Sequence, residues 1–321
     1  MRKLPMEEIK DIPARQVIED LRNCKYSLLQ SAGCDKLRKE MRGPGIACRL
    51  VINAAWHTTF GGDSFKHDSR TARKLANFLS WGAPAEIHGT LPTYADSLVV
   101  GFNHPSLGEI IRFIAICLAD YPMRKNLFPV NLPWYEVLMP VVDKLERLGV
   151  YITPIITPST YEKMREYASE EAMQVLSSLR ESFSLIYARE CAIFAKEHSA
   201  IWVAPSATRR ATVFRSEGEY MNLERAEPPT MTLIANAIVG SKVDNCVFVA
   251  VGVVPPENAG RGLNLFKQYT ISFGEVYDVP MAAGLMRAKC EHHRGRQFEY
   301  EFLRSICRSL ISVGAEHLLY P

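Results

Sequence analysis

Two residues that could exchange a proton stand at a predicted junction between a strand and a helix. The apolar run Leu98–Phe102 predicts a buried strand, an Asn-His-Pro turn follows it, and an amphipathic helix is expected over residues 107–121. Glu109 lies five residues after His104. A turn at Pro105 would bring this carboxylate back to the imidazole, where it accepts from one ring N–H and leaves the other nitrogen basic. The pattern predicts a general base that takes a proton from a hydroxyl group.

A purely structural interpretation of the same residues stays open. The helix dipole favours an acidic residue in the first turn of a helix, and Glu109 could serve that purpose alone. His104 would then be an ordinary turn residue. The position of the pair favours chemistry, because open α/β sheets bind their ligands at the carboxyl ends of the strands.

A second segment combines a buried strand with small and cationic residues. Ala200–Pro205 predicts the strand, and Ser206, Thr208, Arg209 and Arg210 follow it. Small side chains permit close approach of the backbone, and the planar guanidinium matches the geometry of phosphate. The segment predicts an anion site at the same sheet edge as the histidine. The alternative is a solvated loop with surface arginines.

The elements that must position these residues alternate between apolar strands and helices. Strands are expected at residues 98–102, 150–153, 200–205, 246–254 and 269–273, and helices at 70–80, 107–121, 159–198, 229–239 and 297–313. This alternation predicts an α/β fold with a mostly parallel central sheet covered by helices on both faces. Helical spacing of apolar residues near the start predicts an N-terminal helical region over residues 1–90, followed by an α/β domain over residues 91–321.

Composition narrows the class of protein. The 321 residues carry a net charge of +3, which is too small to indicate a nucleic-acid partner. The eight cysteines form no C-x-x-C pair, so we expect reduced thiols in a cytoplasmic protein and neither a metal nor a cofactor. The apolar stretch Ile110–Ala119 is about half the ~20 residues of a membrane span and contains Arg112. Peripheral contact with a membrane stays open.

Three blocks of the sequence together resemble the glycerolipid acyltransferase superfamily. Asn103–Glu109 resembles its first block, usually Asn-His-x-Ser-x-x-Asp. Ile201–Arg210 is similar to the Ile-Trp-Ile-Ala-Pro-Ser-Gly-Gly-Arg block of the soluble, plastid-type glycerol-3-phosphate acyltransferases. Val247–Pro256 resembles their last block, a strand that ends near paired prolines. The resemblance covers about residues 90–280.

The resemblance implies a reaction and a set of roles. His104 would be the catalytic base and Glu109 its partner, in place of the more usual aspartate. The substrate-binding residues would be Asn103, Ser206, Thr208, Arg209 and Arg210. The donor would be acyl-CoA or acyl carrier protein, and the acceptor a small phosphorylated molecule or a lipid. The second arginine of the soluble branch falls on Ala211, and adjacent Arg210 is its candidate replacement.

Three functions therefore compete. The first is acyl transfer to glycerol 3-phosphate or a related phosphorylated acceptor, with a lysolipid or an amine as the alternative acceptor. The second is a hydrolase that uses Ser106 or Ser206, although neither lies in a Gly-x-Ser-x-Gly elbow. The third is a catalytically inactive homologue that binds lipid.

Overall fold

The computed structural model describes residues 69–105, 108–120, 124–131, 135, 142–205, 230–257, 264–288 and 297–318. Most of the predicted N-terminal helical region, residues 1–68, lies outside these ranges. Its described remainder contains a helix at Ser69–Gly82 and a strand at Ala85–His88. The division near residue 90 stays a prediction.

Apolar strands and amphipathic helices follow one another along the chain. The elements are α1 (Ser69–Gly82), β1 (Ala85–His88), β2 (Ser97–Phe102), α2 (Gly108–Asp120), β3 (Lys125–Asn131), α3 (Val142–Arg147), β4 (Val150–Ile155), α4 (Pro158–Arg165), α5 (Glu170–Phe194), β5 (Ser199–Val203), α6 (Thr230–Gly240), β6 (Cys246–Val254), β7 (Tyr269–Asp278), α7 (Val279–Arg287), α8 (Gln297–Ile311) and a short 3-10 helix (Glu316–Leu318). The helical region expected over residues 159–198 is divided between α4 and α5.

Seven strands form one sheet in the order β1-β7-β6-β2-β5-β3-β4. Strand β2 runs parallel to both β5 and β6, and β3 runs parallel to β5. The exception is β7, which is antiparallel to β6 and parallel to β1. The predicted α/β class with a mostly parallel sheet is confirmed. Every residue of β2 and β5 is buried, as expected of central strands in a covered sheet.

Helices pack on both faces of the sheet, as adjacent residues of β2 demonstrate. A Cβ atom added at Gly101 would meet Phe302 of α8 and Met231 of α6. The next residue, Phe102, points to the opposite face and packs its ring 4.7 Å from that of Phe113 in α2. The predicted cover of helices on both faces is therefore confirmed.

The described residues belong to two compact units. The larger draws them from Lys66–Phe128, Arg147–Val150 and Cys191–Pro321, and the smaller from Pro129–Glu146 and Tyr151–Glu190. In the larger unit, the indole of Trp202 is fully buried and stacks on Phe113 and Phe128 at 4.4 and 5.8 Å. In the smaller unit, the Thr157 hydroxyl caps α4. Every contact of the candidate site described below lies within the larger unit.

None of the helices in the described ranges combines the length and apolar character that crossing a bilayer requires.

Candidate active site

Asn103 fixes the backbone just beyond the end of β2. Its Nδ2 donates to the carbonyl of Val253 at 2.8 Å, and its Oδ1 accepts from the Val253 N–H at 2.6 Å. The side-chain amide thus continues the pairing of β2 with β6 after the main chain of β2 has turned away. Because Asn103 is buried, these two hydrogen bonds are shielded from water and hold the next residue, His104, at the carboxyl edge of the sheet.

The structure brings His104 and Glu109 together, as the spacing predicted. Imidazole Nδ1 is hydrogen-bonded to Oε1 of Glu109. A carboxylate can only accept, so in the neutral imidazole this hydrogen bond selects the tautomer with the proton on Nδ1 and the lone pair on Nε2. No hydrogen bond joins Nε2 to any residue that the structure describes. The hydrogen bond therefore favours the tautomer that a general base needs, with Nε2 not bonded to any of the described residues.

Burial distinguishes this pair from the other histidine–carboxylate pairs in the described ranges. Glu109 is 0% exposed and the His104 side chain is 16% exposed. In the pairs His88–Glu86 and His198–Asp96 the carboxylates are 54% and 57% exposed. A charge in a low-dielectric surrounding is screened less by water, and of these three carboxylates only Glu109 is fully buried.

The helix dipole and a buried cation accompany the buried carboxylate. Glu109 lies in the first turn of α2, where the partial positive charge of the helix N-terminus stabilises an anion. Arg112, three residues later, is 1% exposed. Burial lowers the pKa of its guanidinium, and Tyr269 and the Glu109 carboxylate act in the opposite direction. Glu109 is thus one of the charges that keep a cation inside the protein.

Arg112 also ties two other segments of backbone to α2, the one at Pro84 and the turn Asn264–Lys267. It donates to the carbonyls of Pro84 at 3.0 Å, Gly108 at 2.7 Å, Asn264 at 3.3 Å and Lys267 at 2.6 Å. Its guanidinium also lies 3.8 Å from the centroid of the Tyr269 ring. These contacts satisfy a cation that would be costly to bury alone.

In the sequence, Arg112 stands out only as a charged residue that interrupts an apolar stretch. The sequence signal for a role of Arg112 is its position as a cation inside the apolar helix GEIIRFIAICLAD, one turn after Glu109. Its partners are backbone carbonyls, and apart from Gly108 they are 28 to 155 residues away in sequence. Its role in holding the site could therefore be found only from the fold.

The predicted anion-binding residues Ser206, Thr208, Arg209 and Arg210 lie outside the described residues. The strand that precedes them is present, and in the register of the sheet its Val203 lies beside Gly101 of β2. Ala250 of β6 lies beside Gly101 on the other side. Because the three strands are parallel, their carboxyl ends meet at the edge where His104 lies.

A small cavity lies against α2, away from the histidine ring. It has a volume of about 180 Å³ and is lined by Ser80, Ala83, Pro84, Ala85, Ile87, Arg112, Ala115 and Ile116. Ligand pockets for drug-sized molecules are roughly 300–1,000 Å³, so this cavity is too small for a complete fatty acyl substrate.

Comparisons of this chain with protein families, with curated proteins and with solved structures find no match. The arrangement of His104, Glu109 and the sheet edge is therefore interpreted from its own chemistry and from the sequence resemblance described above.

Proposed function

We propose that this protein is an acyltransferase. It would move a fatty acyl group from acyl-CoA or acyl carrier protein to a hydroxyl of glycerol 3-phosphate or a related phosphorylated acceptor. The observation that carries the proposal is the buried Glu109 carboxylate bonded to Nδ1 of His104 at the carboxyl edge of a parallel sheet. The resemblance of the three sequence blocks to glycerolipid acyltransferases supports the choice of reaction.

The reaction is a single displacement with His104 as the base. Nε2 takes the proton of the acceptor hydroxyl while the hydroxyl oxygen attacks the carbonyl carbon of the thioester. The imidazolium that forms is stabilised by the Glu109 carboxylate. The new C–O bond forms, the C–S bond breaks, and the imidazolium returns its proton to the leaving thiolate. No redox partner is required.

The remaining substrate-binding roles rest on the resemblance. Arg209, with Arg210 beside it, would hold the phosphate of the acceptor, and Ser206 and Thr208 would allow the backbone to approach it. Both functional groups of the Asn103 side-chain amide are bonded to Val253, so its contribution through the fold is to hold the histidine loop. A contact between Asn103 and the substrate stays a prediction.

The expected setting is the cytoplasm, with acyl-CoA or acyl carrier protein as the partner. A lysolipid or an amine is the alternative acceptor, because the second arginine of the soluble branch is replaced by Ala211. A hydrolase and a lipid-binding homologue without activity are the remaining alternatives. Thiol release distinguishes these functions, because they differ in the acceptor that release requires or in whether release occurs at all.

The test is a thiol-release assay with acyl-CoA and acyl carrier protein as donors and with glycerol 3-phosphate, lysolipids and amines as acceptors. We expect release that depends on one acceptor class and falls about 10²–10⁴-fold in His104→Ala, the range of general-base catalysis. His88→Ala is the matched control, since His88 also pairs with a carboxylate but on the surface. Arg209→Ala should mainly raise the KM for the acceptor.

Release without any acceptor would indicate a hydrolase instead. No release with any donor and acceptor would favour the lipid-binding homologue. A His104→Ala variant that is folded and as active as the wild type would refute the assignment of the base.

A further inference from the structure

Four large apolar side chains protrude from one region of the larger unit. Trp81 at the end of α1 is 72% exposed, and Phe266, in the turn before β7, is 66% exposed. Their rings meet edge to face with centroids 5.5 Å apart. Phe78 and Leu265 are also exposed. We call these four residues the aromatic knob. Isolated exposed apolar residues are common, but such a cluster indicates an interaction surface.

One residue of the knob, Phe266, has an unfavourable backbone conformation. Phe266 has a φ of 59°, in the left-handed region that a bulky side chain rarely adopts. Its N–H donates to the carbonyl of Gly82 at the end of α1. Arg112 bonds the carbonyls of Asn264 and Lys267, on either side of the ring-bearing turn. Several contacts therefore keep the Phe266 ring in solvent despite the strain, as expected when the exposed position has a use.

Basic residues occur in both segments that form the knob. Helix α1 contains Arg70, Arg73 and Lys74 and no acidic residue. Lys74 is exposed and lies on the same face of α1 as Phe78 and Trp81, because the three are spaced i, i+4 and i+7.

The turn before β7 adds an exposed Lys267 directly after Phe266. Glu86 and the neighbouring His88 on β1 form an exposed pair of their own. Aromatic side chains at the water boundary with cations around them are typical of surfaces that lie in the headgroup region of a membrane.

We propose that the aromatic knob docks this protein onto an anionic lipid surface. Trp81, Phe266, Phe78 and Leu265 would enter the boundary between headgroups and acyl chains, and Lys74 and Lys267 would face the lipid phosphates. The attraction has an apolar part and a charge part, since each basic residue near an anionic membrane strengthens binding about fivefold. The proposal rests on this surface alone and does not require the acyltransferase reaction.

Arg112 connects the knob with the candidate active site. The same guanidinium that holds the Phe266 turn lies one helical turn after Glu109. In a protein bound through the knob, Arg112 would therefore link the membrane-facing turn of Phe266 to α2, the helix that carries Glu109.

The test is co-sedimentation of the full chain with phosphatidylcholine vesicles that contain either no phosphatidylglycerol or about 30 mol% of it. Binding is measured at low and at high salt. The variant is Trp81→Gln with Phe266→Asn, because asparagine tolerates a positive φ. We expect the wild type to bind the anionic vesicles, and to bind less at high salt. The double variant should bind about tenfold more weakly or worse, since it loses two large apolar side chains.

Ile311→Gln on α8 is the matched control, because Ile311 is exposed and α8 covers the opposite face of the sheet. This control should bind as the wild type does, and so should His104→Ala, which separates docking from catalysis. Wild-type protein that ignores anionic vesicles, or a folded double variant that binds them normally, would overturn the proposal. Self-association of the wild type that the double variant abolishes, measured by sedimentation, would also overturn it.

Discussion

Replacing Glu109 with glutamine is the sharpest perturbation of the candidate site. The variant keeps the length of the side chain and removes its charge. A carboxamide can donate to Nδ1, which places the imidazole proton on Nε2, the nitrogen that must be basic. The same change also removes the anion that stabilises the imidazolium. Both effects act on the proton transfer and neither requires a change in the backbone.

The size of the loss follows from the burial of the pair. Opposite unit charges about 4 Å apart attract by about 4 kcal/mol at an effective dielectric constant of 20. A loss of that size corresponds to roughly a thousandfold in rate, since about 1.4 kcal/mol is a factor of ten. Because Glu109 is 0% exposed, water cannot replace the lost charge by screening. We therefore expect kcat to fall about 10³-fold with the KM for the acceptor little changed.

Stability provides the control for this variant. A neutral amide is less costly to bury than a carboxylate, which opposes the loss of the ion pair. Arg112 keeps its four backbone carbonyls. We expect the midpoint of thermal unfolding to move by only a few degrees, within the roughly 2–4 °C that 1 kcal/mol produces in a chain of this size. Glu109→Asp retains the charge and should lose less activity than the glutamine variant.

The assay is thiol release at saturating donor, with the melting curve measured on the same preparation. A folded Glu109→Gln protein that turns over within threefold of the wild type would refute the reasoning, because the carboxylate would then have no effect on the histidine. If Glu109→Gln loses activity and shows no cooperative thermal unfolding, the expectation that the variant stays folded is refuted.

Three further perturbations address the scaffold. Gly101→Ala should destabilise the fold by about 1–3 kcal/mol in denaturant unfolding, since the new Cβ would lie 2.3 Å from the ring of Phe302. Asn103→Ala should lower both stability, by about 2 kcal/mol, and kcat, since it leaves the buried N–H and C=O of Val253 unpaired and frees the histidine loop. Burial acts to raise the pKa of Glu275, but hydrogen bonds from Arg308 and Tyr277 leave it lowered overall. Glu275 therefore contributes stability above pH 4.5 that disappears as the pH falls further, and Glu275→Gln should abolish that part of the pH dependence in thermal unfolding.

For each of these three predictions a specific result would contradict it. Gly284→Ala, in α7 with open space around the glycine, is the control for Gly101→Ala and should be neutral or stabilising. Equal stability of the two alanine variants would argue against the close packing of β2 on α8. Wild-type kcat in Asn103→Ala would show that the histidine loop needs no clamp. An unchanged acid limb of stability in Glu275→Gln would remove Glu275 from the pH response.

Local patterns were sufficient to predict the central strands and the histidine–carboxylate pair. The uninterrupted apolar runs Leu98–Phe102 and Cys246–Val254 are strands because they are long enough to cross a sheet and apolar on both sides. His104 and Glu109 could be paired from their spacing, since only one short turn separates them. The parallel class followed from the alternation of such strands with helices.

Other elements had no clear local signal. Strand β1 is four residues long and mostly exposed, and it exists because it pairs with β7 at the edge of the sheet. Strand β3 contains a proline and alternates poorly, so pairing with β5 decides it. Neighbouring strands supply the hydrogen bonds in both cases, and a single sequence does not contain information about its neighbours in space.

Residue types and spacing are enough to identify His104 and Glu109 as residues that could exchange a proton, and to identify the strand that ends beside them. Three other properties of the site become visible in the folded chain alone: Glu109 is buried, Asn103 bonds to Val253, and Arg112 joins the first turn of α2 to the turn of Phe266. Burial and long-range hydrogen bonds depend on chain segments up to 155 residues apart. Spacing along the chain reports only local geometry, so these properties arise when the sheet and its helices assemble.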